Sequence, residues 1–317
     1  MPTDTSAQTV LVLGGGPDAE REVSIKSSTA VAEALKAAGK WSVHLEIIDK
    51  LTERQLEDLD GDVVFPYLHG PWGEGGPLQD LLEADGRPFV GSNARASRAA
   101  MDKVNTKAVA LEHGIVTTPF WILNTRDPRC PCPLPVVIKP VHEGSTIGLH
   151  ICTTHAQYAA AIDTIAAEQK RGLCRAYMIE PKVGGDQPAR ELTVGVIDGE
   201  ALPIIEIVPK DGLYDYEAKY IRNDTQYLVN PDLPEALAKK VKKSSIRLAK
   251  ALGCRHIARV DFMLGHDDTP WMLEINTTPG FTDHSLVPKA ARATGIEMPE
   301  LCSRLVEMAL RDAAAIR

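Results

Sequence analysis

Apolar and polar positions alternate between two periods along this chain. Thr9 to Leu13 is a β-branched and aliphatic run that breaks on Gly14-Gly15-Gly16, after which helical spacing carries through Ser24, Val31 and Leu35 to Gly39. Strand patterns follow at Trp41 to Ile48, Val63 to Tyr67 and Pro88 to Val90, with a helical pattern from Pro77 to Ala84. This alternation predicts an α/β layer with an open parallel sheet, closing near residue 95.

A helical stretch from Ala96 to His113 precedes two apolar runs, Val116 to Leu123 and Pro135 to Ile138. Strand Leu149 to Cys152, helix His155 to Gln169 and strand Ala176 to Ile179 complete a small central α+β unit. The remainder alternates strands at Glu191 to Ile197, Leu202 to Ile207, Ile257 to Leu264 and Trp271 to Ile275 with helices at Leu233 to Leu252 and Met298 to Ala313. Between them, residues 211 to 225 are polar, aromatic and without period, as expected of a functional loop. The expected units are 1–95, 96–180 and 181–317.

Composition narrows the classes. A chain of 317 residues with 44% hydrophobic and 25% charged positions has enough apolar material for more than one core, which excludes whole-chain disorder. The net charge of −8 disfavours sequence-independent binding to nucleic acid, so an anionic substrate must meet local lysines. No apolar run approaches the roughly 18 residues that cross a bilayer, and the first residues lack a secretory profile. The six cysteines show no zinc-site spacing and are expected as reduced thiols in a cytoplasm.

Four stretches carry chemistry. Gly14-Gly15-Gly16-Pro17-Asp18-Ala19 fits a dinucleotide fingerprint formally, but Asp18, Glu20 and Glu22 would repel a pyrophosphate. Glu20 suits a substrate ammonium; the plainer alternative is a helix with an acidic first turn. His69-Gly70-Pro71-Trp72-Gly73-Glu74-Gly75-Gly76 follows an apolar strand, where open sheets place ligands, or is a simple turn. The Met101 to Lys107 stretch and Val137-Ile138-Lys139-Pro140, followed by His142 to Gly148, supply lysines and a Gly/Ser/Thr loop able to cradle phosphates, although no Walker pattern is present. Finally, alternation puts Arg259 with Asp261 on one strand face and Glu274 with Asn276 on one face of the next, a hard-oxygen set that suits magnesium shared with nucleotide phosphates.

In this order, GGGPDAEREVS, HGPWGEGGPLQ, MDKVNTK, IKPVHEGSTIG, YDYEAKY, ARVDF and LEINTTPGFTDHSLVP resemble the D-alanine–D-alanine ligases of the ATP-grasp superfamily, from about Val10 to Leu310. The resemblance implies a three-domain ATP-grasp fold and ATP-dependent joining of two D-alanines through an acyl phosphate. It implies ATP with Lys107 and Lys139 on its phosphates, Glu180, Lys182 and Val183 at the adenine, with Lys182 acting through its backbone, and Glu191 at the ribose. Two magnesium ions, which manganese can replace, would be held by Asp261, Glu274 and Asn276. The first D-alanine would have its ammonium at Glu20 and its carboxylate near His69 and Arg259; the second would have its carboxylate at Ser285 and Leu286, with the oxyanion facing Arg259 and Gly280. Glu20, Ser145 and Tyr220 would close the loop, and Lys219 would reach the γ-phosphate from it. No nucleic-acid or membrane partner is implied, and a homodimer is. An ATP-grasp ligase joining other small amino acids, a D-alanine–D-lactate ligase, and a catalytically silent nucleotide-binding protein are the alternatives.

The resemblance gives Tyr220 a test. A neutral phenol closes the loop without adding charge beside the second substrate, so dipeptide should form in preference to ester at neutral pH. Tyr220→Phe should raise the apparent KM for the second D-alanine and increase unproductive ATP hydrolysis. Steady-state kinetics with D-alanine and D-lactate side by side read both effects; ester as the main product of the unaltered protein would refute the assignment.

Overall fold

The structure, a computed structural model, describes residues 7–144, 147–210, 224–282 and 285–316. The N-terminal layer is a parallel sheet of order β2-β1-β3, formed by β1 (Thr9–Gly15), β2 (Ser42–Ile48) and β3 (Val63–Pro66). Helix α1 (Arg21–Ala38) packs on it and ends on Gly39, whose left-handed conformation lets its N–H cap the Lys36 carbonyl. Short helices α2 (Glu53–Glu57), α3 (Gly70–Glu74) and α4 (Pro77–Asp85) cover the rest. The expected strand at 88–90 reduces to a parallel bridge of Phe89 with Val64, because Pro88 has no N–H and the chain turns at Gly91. The His69 motif, for which a simple turn is one of two readings, winds into α3 with Pro71 in its first turn.

The helical stretch at 96–113 is two helices, α5 (Ala94–Met101) and α6 (Lys103–Glu112). Asp102 separates them in an extended conformation, and its Oδ1 accepts from the Asn105 N–H at 2.9 Å, so one residue ends α5 and caps α6. Ala100, Ala110 and Ile115 from this stretch join Leu192, Val260 and Met272 in the core beneath the C-terminal sheet.

The central sheet has order β4-β7-β5-β6, from β4 (Trp121–Ile122), β5 (Val136–Pro140), β6 (His150–Cys152) and β7 (Tyr177–Pro181), backed by α7 (His155–Lys170). The apolar run at 116–123 keeps only two residues as strand. Thr117 instead bridges to Met272 of the neighbouring sheet, and Pro119 cannot donate to a ladder.

The C-terminal sheet runs β11-β10-β8-β12-β13, with β9 (Glu200–Ala201) paired to β8 (Arg190–Ile197). Pro203 interrupts the expected strand at 202–207, so β10 is Ile205–Val208; β11 (Gln226–Val229) was not expected. Strands β12 (Ile257–Leu264) and β13 (Pro270–Asn276) form its antiparallel end, with helices α8 (Glu235–Leu252), α9 (Leu286–Arg292) and α10 (Met298–Ile316) around it.

A shared core joins the first and last units: Val31 and Leu35 of α1 and Phe65 of β3 pack with Leu301, Leu305 and Val306 of α10. Nearby, the Gly91 N–H donates to His256 Nδ1 at 2.9 Å, which fixes the proton on Nε2, 3.1 Å from Asp312. Because Leu305 is fully buried in that joint core, Leu305→Ala should cost about 2–5 kcal/mol in chemical unfolding. A loss inside the scatter of surface substitutions would show that the two units are not held together by this core.

Candidate active site

The site begins at a buried carboxylate. Glu180, near the end of β7, is flanked by Lys107 of α6, whose Nζ lies 2.8 Å from Oε2, and by Lys139 of β5, whose Nζ lies 2.6 Å from Oε1. Thr118 Oγ1 donates to Oε2 at 2.7 Å, and Lys107 also donates to Thr117 Oγ1 at 2.7 Å and Thr118 Oγ1 at 2.8 Å. Burial opposes the charged carboxylate, yet the pull of Lys139 and Lys107 and their hydrogen bonds prevail and lower Glu180 from 4.5 to about 2. For Lys107 burial prevails, lowering the ammonium to about 8 against the attraction of Glu180. Burial also opposes the Lys139 ammonium, but Glu180 and Glu274 outweigh it and raise the value.

Between the central and C-terminal sheets lies a cavity of about 440 Å³. Val137, Lys139, Ile151 and Glu180 line it from one sheet, and Glu191, Met263, Leu273 and Glu274 from the other. Lys182, Val183, Asp186, Pro188 and Ala189 close one end, while Glu143, Gly144 and Ile147 lie at another margin. Its volume and mixed lining suit a small-molecule ligand.

The lysines differ in what they reach. Lys107 has no exposed surface and is not among the cavity residues, because its ammonium is spent behind Glu180. Lys103, four residues earlier, lines the cavity instead, with Nζ 3.2 Å from Glu274 Oε2 and donating to the Glu143 carbonyl at 2.6 Å. The Asp102 break aims it there, a signal present in the Asp-Lys pair before a helix. Lys182 lines the cavity too; its N–H donates to Pro135 at 2.9 Å and its carbonyl accepts from Gly185 at 3.0 Å. The Lys182 carbonyl keeps a second lone pair, while its Nζ donates to the Gly185 carbonyl at 2.7 Å and braces the 184–188 turn.

The carboxylate face stands on β12 and β13. Arg259 lies opposite Asn276, and Asp261 opposite Glu274, so all four share one face. A bulge follows, with Leu273 as the extra residue, and Leu273 and Glu274 both line the cavity. Asp261 accepts from Arg259 Nη2 at 2.7 Å and from Thr193 Oγ1 at 2.6 Å. Two carboxylates and an amide carbonyl form an all-oxygen donor set, chemically right for magnesium. Among the described residues no group of three His, Cys, Asp or Glu could hold a metal alone, so such an ion needs oxygens from phosphate or water.

The N-terminal unit contributes Glu20 and His69. Glu20 is buried just before α1, and a Cβ built on Gly144 would lie 3.4 Å from its Oε2, next to the loop that contains Ser145. His69 is buried, with Nδ1 3.7 Å from Glu74 Oε1 and, among the described residues, no hydrogen-bond partner for Nε2. Burial disfavours its charged form, but Glu74 and Glu20 overcome that and raise its pKa, with Arg259 opposing. A buried ring nitrogen of this kind calls for a partner such as water, an ion or a ligand. The glycine turn at 14–16 serves packing: a Cβ on Gly14 would lie 1.9 Å from Ser28 Oγ of α1.

On the opposite wall, Ser285 precedes α9, and its Oγ accepts from the Thr282 N–H at 2.9 Å. Gly280 lies beside it, a built Cβ coming within 3.2 Å of that Oγ, and Leu286 is buried. Ser145, Lys219 and Tyr220 lie outside the described residues.

A nucleotide-sized cleft between two antiparallel sheets, with lysines on one and carboxylates on the other, defines the ATP-grasp class. The D-ala D-ala ligase C-terminus family model matches residues 128–307. The chain is 43% identical to the D-alanine–D-alanine ligase of Bordetella petrii over 94% of its length and 91% of the relative's. It is 40% identical to that of Syntrophotalea carbinolica over 94% of each. The solved structure of D-alanine–D-alanine ligase from Bacillus anthracis complexed with ATP superposes with a TM-score of 0.80 at 30% identity, covering 99% of this chain and all of that one. The chain belongs to the D-alanine–D-alanine ligase family.

The buried triad yields a measurable sign. Glu180 is lowered on folding, so it contributes stability above its ordinary 4.5 that is lost as pH falls toward about 2. Glu180→Gln leaves two buried ammoniums uncompensated and should cost about 3–5 kcal/mol at neutral pH. Urea unfolding across the acid range should show that gap closing between 4.5 and about 2; a gap independent of pH would contradict the charge assignment.

Proposed function

We propose that this chain joins two D-alanines into D-alanyl-D-alanine while cleaving ATP to ADP and phosphate, as a step in making peptidoglycan precursor. The observation that carries the reading is that Lys103, Lys139 and Glu274 line one cleft, with Asp261, Asn276 and Arg259 on the same β12–β13 face as Glu274. ATP would place its adenine toward Val183 and Glu180, its ribose at Glu191 and its phosphates along Lys139 and Lys103. Lys107 would act behind them, holding Glu180 and so the pose of Lys139. Magnesium, with manganese able to substitute, would be held by Asp261, Glu274 and Asn276 and would neutralise phosphate charge.

The first D-alanine would have its ammonium at Glu20 and its carboxylate between His69 and Arg259. A carboxylate oxygen attacks the γ-phosphorus and ADP departs, leaving an acyl phosphate. The second D-alanine, its carboxylate held by Ser285 and the backbone near Leu286, attacks as a neutral amine, and phosphate leaves as the peptide bond forms. Arg259 and the Gly280 N–H would stabilise the oxyanion between those events. Placement and electrostatics supply the rate, since no protein nucleophile is needed. Ser145, Tyr220 and Lys219 would close the site against water. Assembly as a homodimer belongs to the same reading, with sedimentation as its check.

Incubating the protein with ATP, magnesium and D-alanine should give ADP, phosphate and dipeptide in equal amounts; AMP with pyrophosphate would refute the reading. D-lactate accepted as well as D-alanine would favour the ester-forming alternative. Glu274→Gln should reduce turnover by about 100-fold or more, as loss of a charge-stabilising group does, with little change in Tm. Near-normal turnover with a lowered Tm would make Glu274 structural.

A further inference from the structure

Tyr67 is buried immediately after β3, and none of the expectations drawn from sequence assigns it a role. Its backbone is fixed at both ends: its N–H donates to the Leu13 carbonyl at 2.8 Å, and its carbonyl accepts from Ser24 Oγ at 2.6 Å. Ser24 Oγ in turn accepts from the Gly15 N–H at 2.9 Å, which locks the residue to β1 and α1 together. The ring is held by aromatic neighbours, with Phe281 at 5.2 Å, and His69 edge-on at 5.8 Å. From this anchor the phenol donates across the junction between units, to the carbonyl of Pro279.

That carbonyl belongs to the same peptide group as the Gly280 N–H. A trans peptide is planar, so its C=O and N–H point in opposite directions and cannot be oriented separately. Among the described residues, nothing accepts a hydrogen bond from the Gly280 N–H. The geometry points to Tyr67 as a positioning residue: its hydroxyl orients and polarises the Pro279–Gly280 peptide so that the Gly280 N–H meets the oxyanion. The inference rests on the ligase reading and adds a residue from the N-terminal unit to the oxyanion site.

Two physical effects combine. A hydrogen bond accepted at a peptide oxygen draws electron density from the nitrogen and strengthens the N–H as a donor. A donor fixed beforehand costs no reorganisation as charge develops. The phenol also keeps its proton: burial pushes its pKa well up, Cys302 and Glu74 add to that, and Arg259 opposes it. A carbonyl offers only lone pairs, so the protonated phenol is the form this contact requires. The loop receives further support from Ser285, whose Oγ accepts from Thr282, so Tyr67 acts on a segment already shaped.

The experiment compares the unaltered protein with Tyr67→Phe, which keeps the ring, and Tyr67→Leu, which removes ring and hydroxyl. The readouts are kcat, KM for ATP, Tm, and affinity for a phosphinate that mimics the tetrahedral centre of the dipeptide reaction. Removing an oxyanion donor outright costs about 100- to 1000-fold, so a donor that is kept but loosened should cost about 10-fold in kcat. Phosphinate affinity should fall by the same factor in both variants, with KM for ATP unchanged, although Leu lowers Tm more than Phe. Tyr67→Phe matching the unaltered protein in kcat and phosphinate affinity overturns the proposal, as do losses that follow Tm and not the hydroxyl. Absence of dipeptide from the unaltered protein overturns the ligase reading itself, a separate result visible before any variant is made.

Discussion

The structure turns on a carboxylate buried between two ammoniums. Taking three charges out of water costs far more than one hydrogen bond returns, so the arrangement stands only because every partner is in place at once. Glu180 comes from β7, Lys139 from β5 and Lys107 from α6, and Thr117, which receives Lys107, donates onward to the Met272 carbonyl of β13 at 2.7 Å. The triad therefore ties the central sheet to the C-terminal one along the wall of the cavity. With Lys107 spent on that duty, Lys139 is left held at the surface of the cleft and Lys103 reaches it from the capped start of α6.

A second constraint acts across the first and last units. Their common core, with α1 packed on α10, brings Phe65 and Tyr67 at the end of β3 together with Phe281. Contacts there are backbone-directed: Tyr67 reaches the Pro279 carbonyl, and Ser24 reaches the Tyr67 carbonyl. Such bonds fix peptide planes, whereas surface charge pairs fix little. Glu20, His69 and Arg259, which the ligase reading assigns to a small substrate, lie within electrostatic reach of one another at that seam.

Elements with strong period were legible. The parallel N-terminal sheet, α1, α7, α8, α10 and the β12–β13 hairpin follow from runs in which pattern and propensity agree. Elements shaped by one residue were harder to see. Pro88, Pro119 and Pro203 shorten strands by removing donors, and Asp102 divides a helix whose apolar spacing runs straight through it. Strand β11 alternates only weakly over four residues, too short for its pattern to stand out.

By itself the sequence determined the family and the fold class, because motif order and apolar period are written along the chain. Alternation alone was enough to put Arg259 with Asp261 on one face of β12 and Glu274 with Asn276 on one face of β13, whereas the pairing register set Asp261 opposite Glu274. Tertiary structure decided which of two lysines four residues apart meets the cleft, since helical spacing puts Lys103 and Lys107 on the same face of α6 and only the neighbouring sheet separates one from the other. It also decided that the Lys182 N–H pairs with Pro135, and that a tyrosine from the first unit grips a peptide in the last. Those outcomes depend on contacts between residues distant in sequence, such as Tyr67 with Pro279, for which local pattern carries no signal.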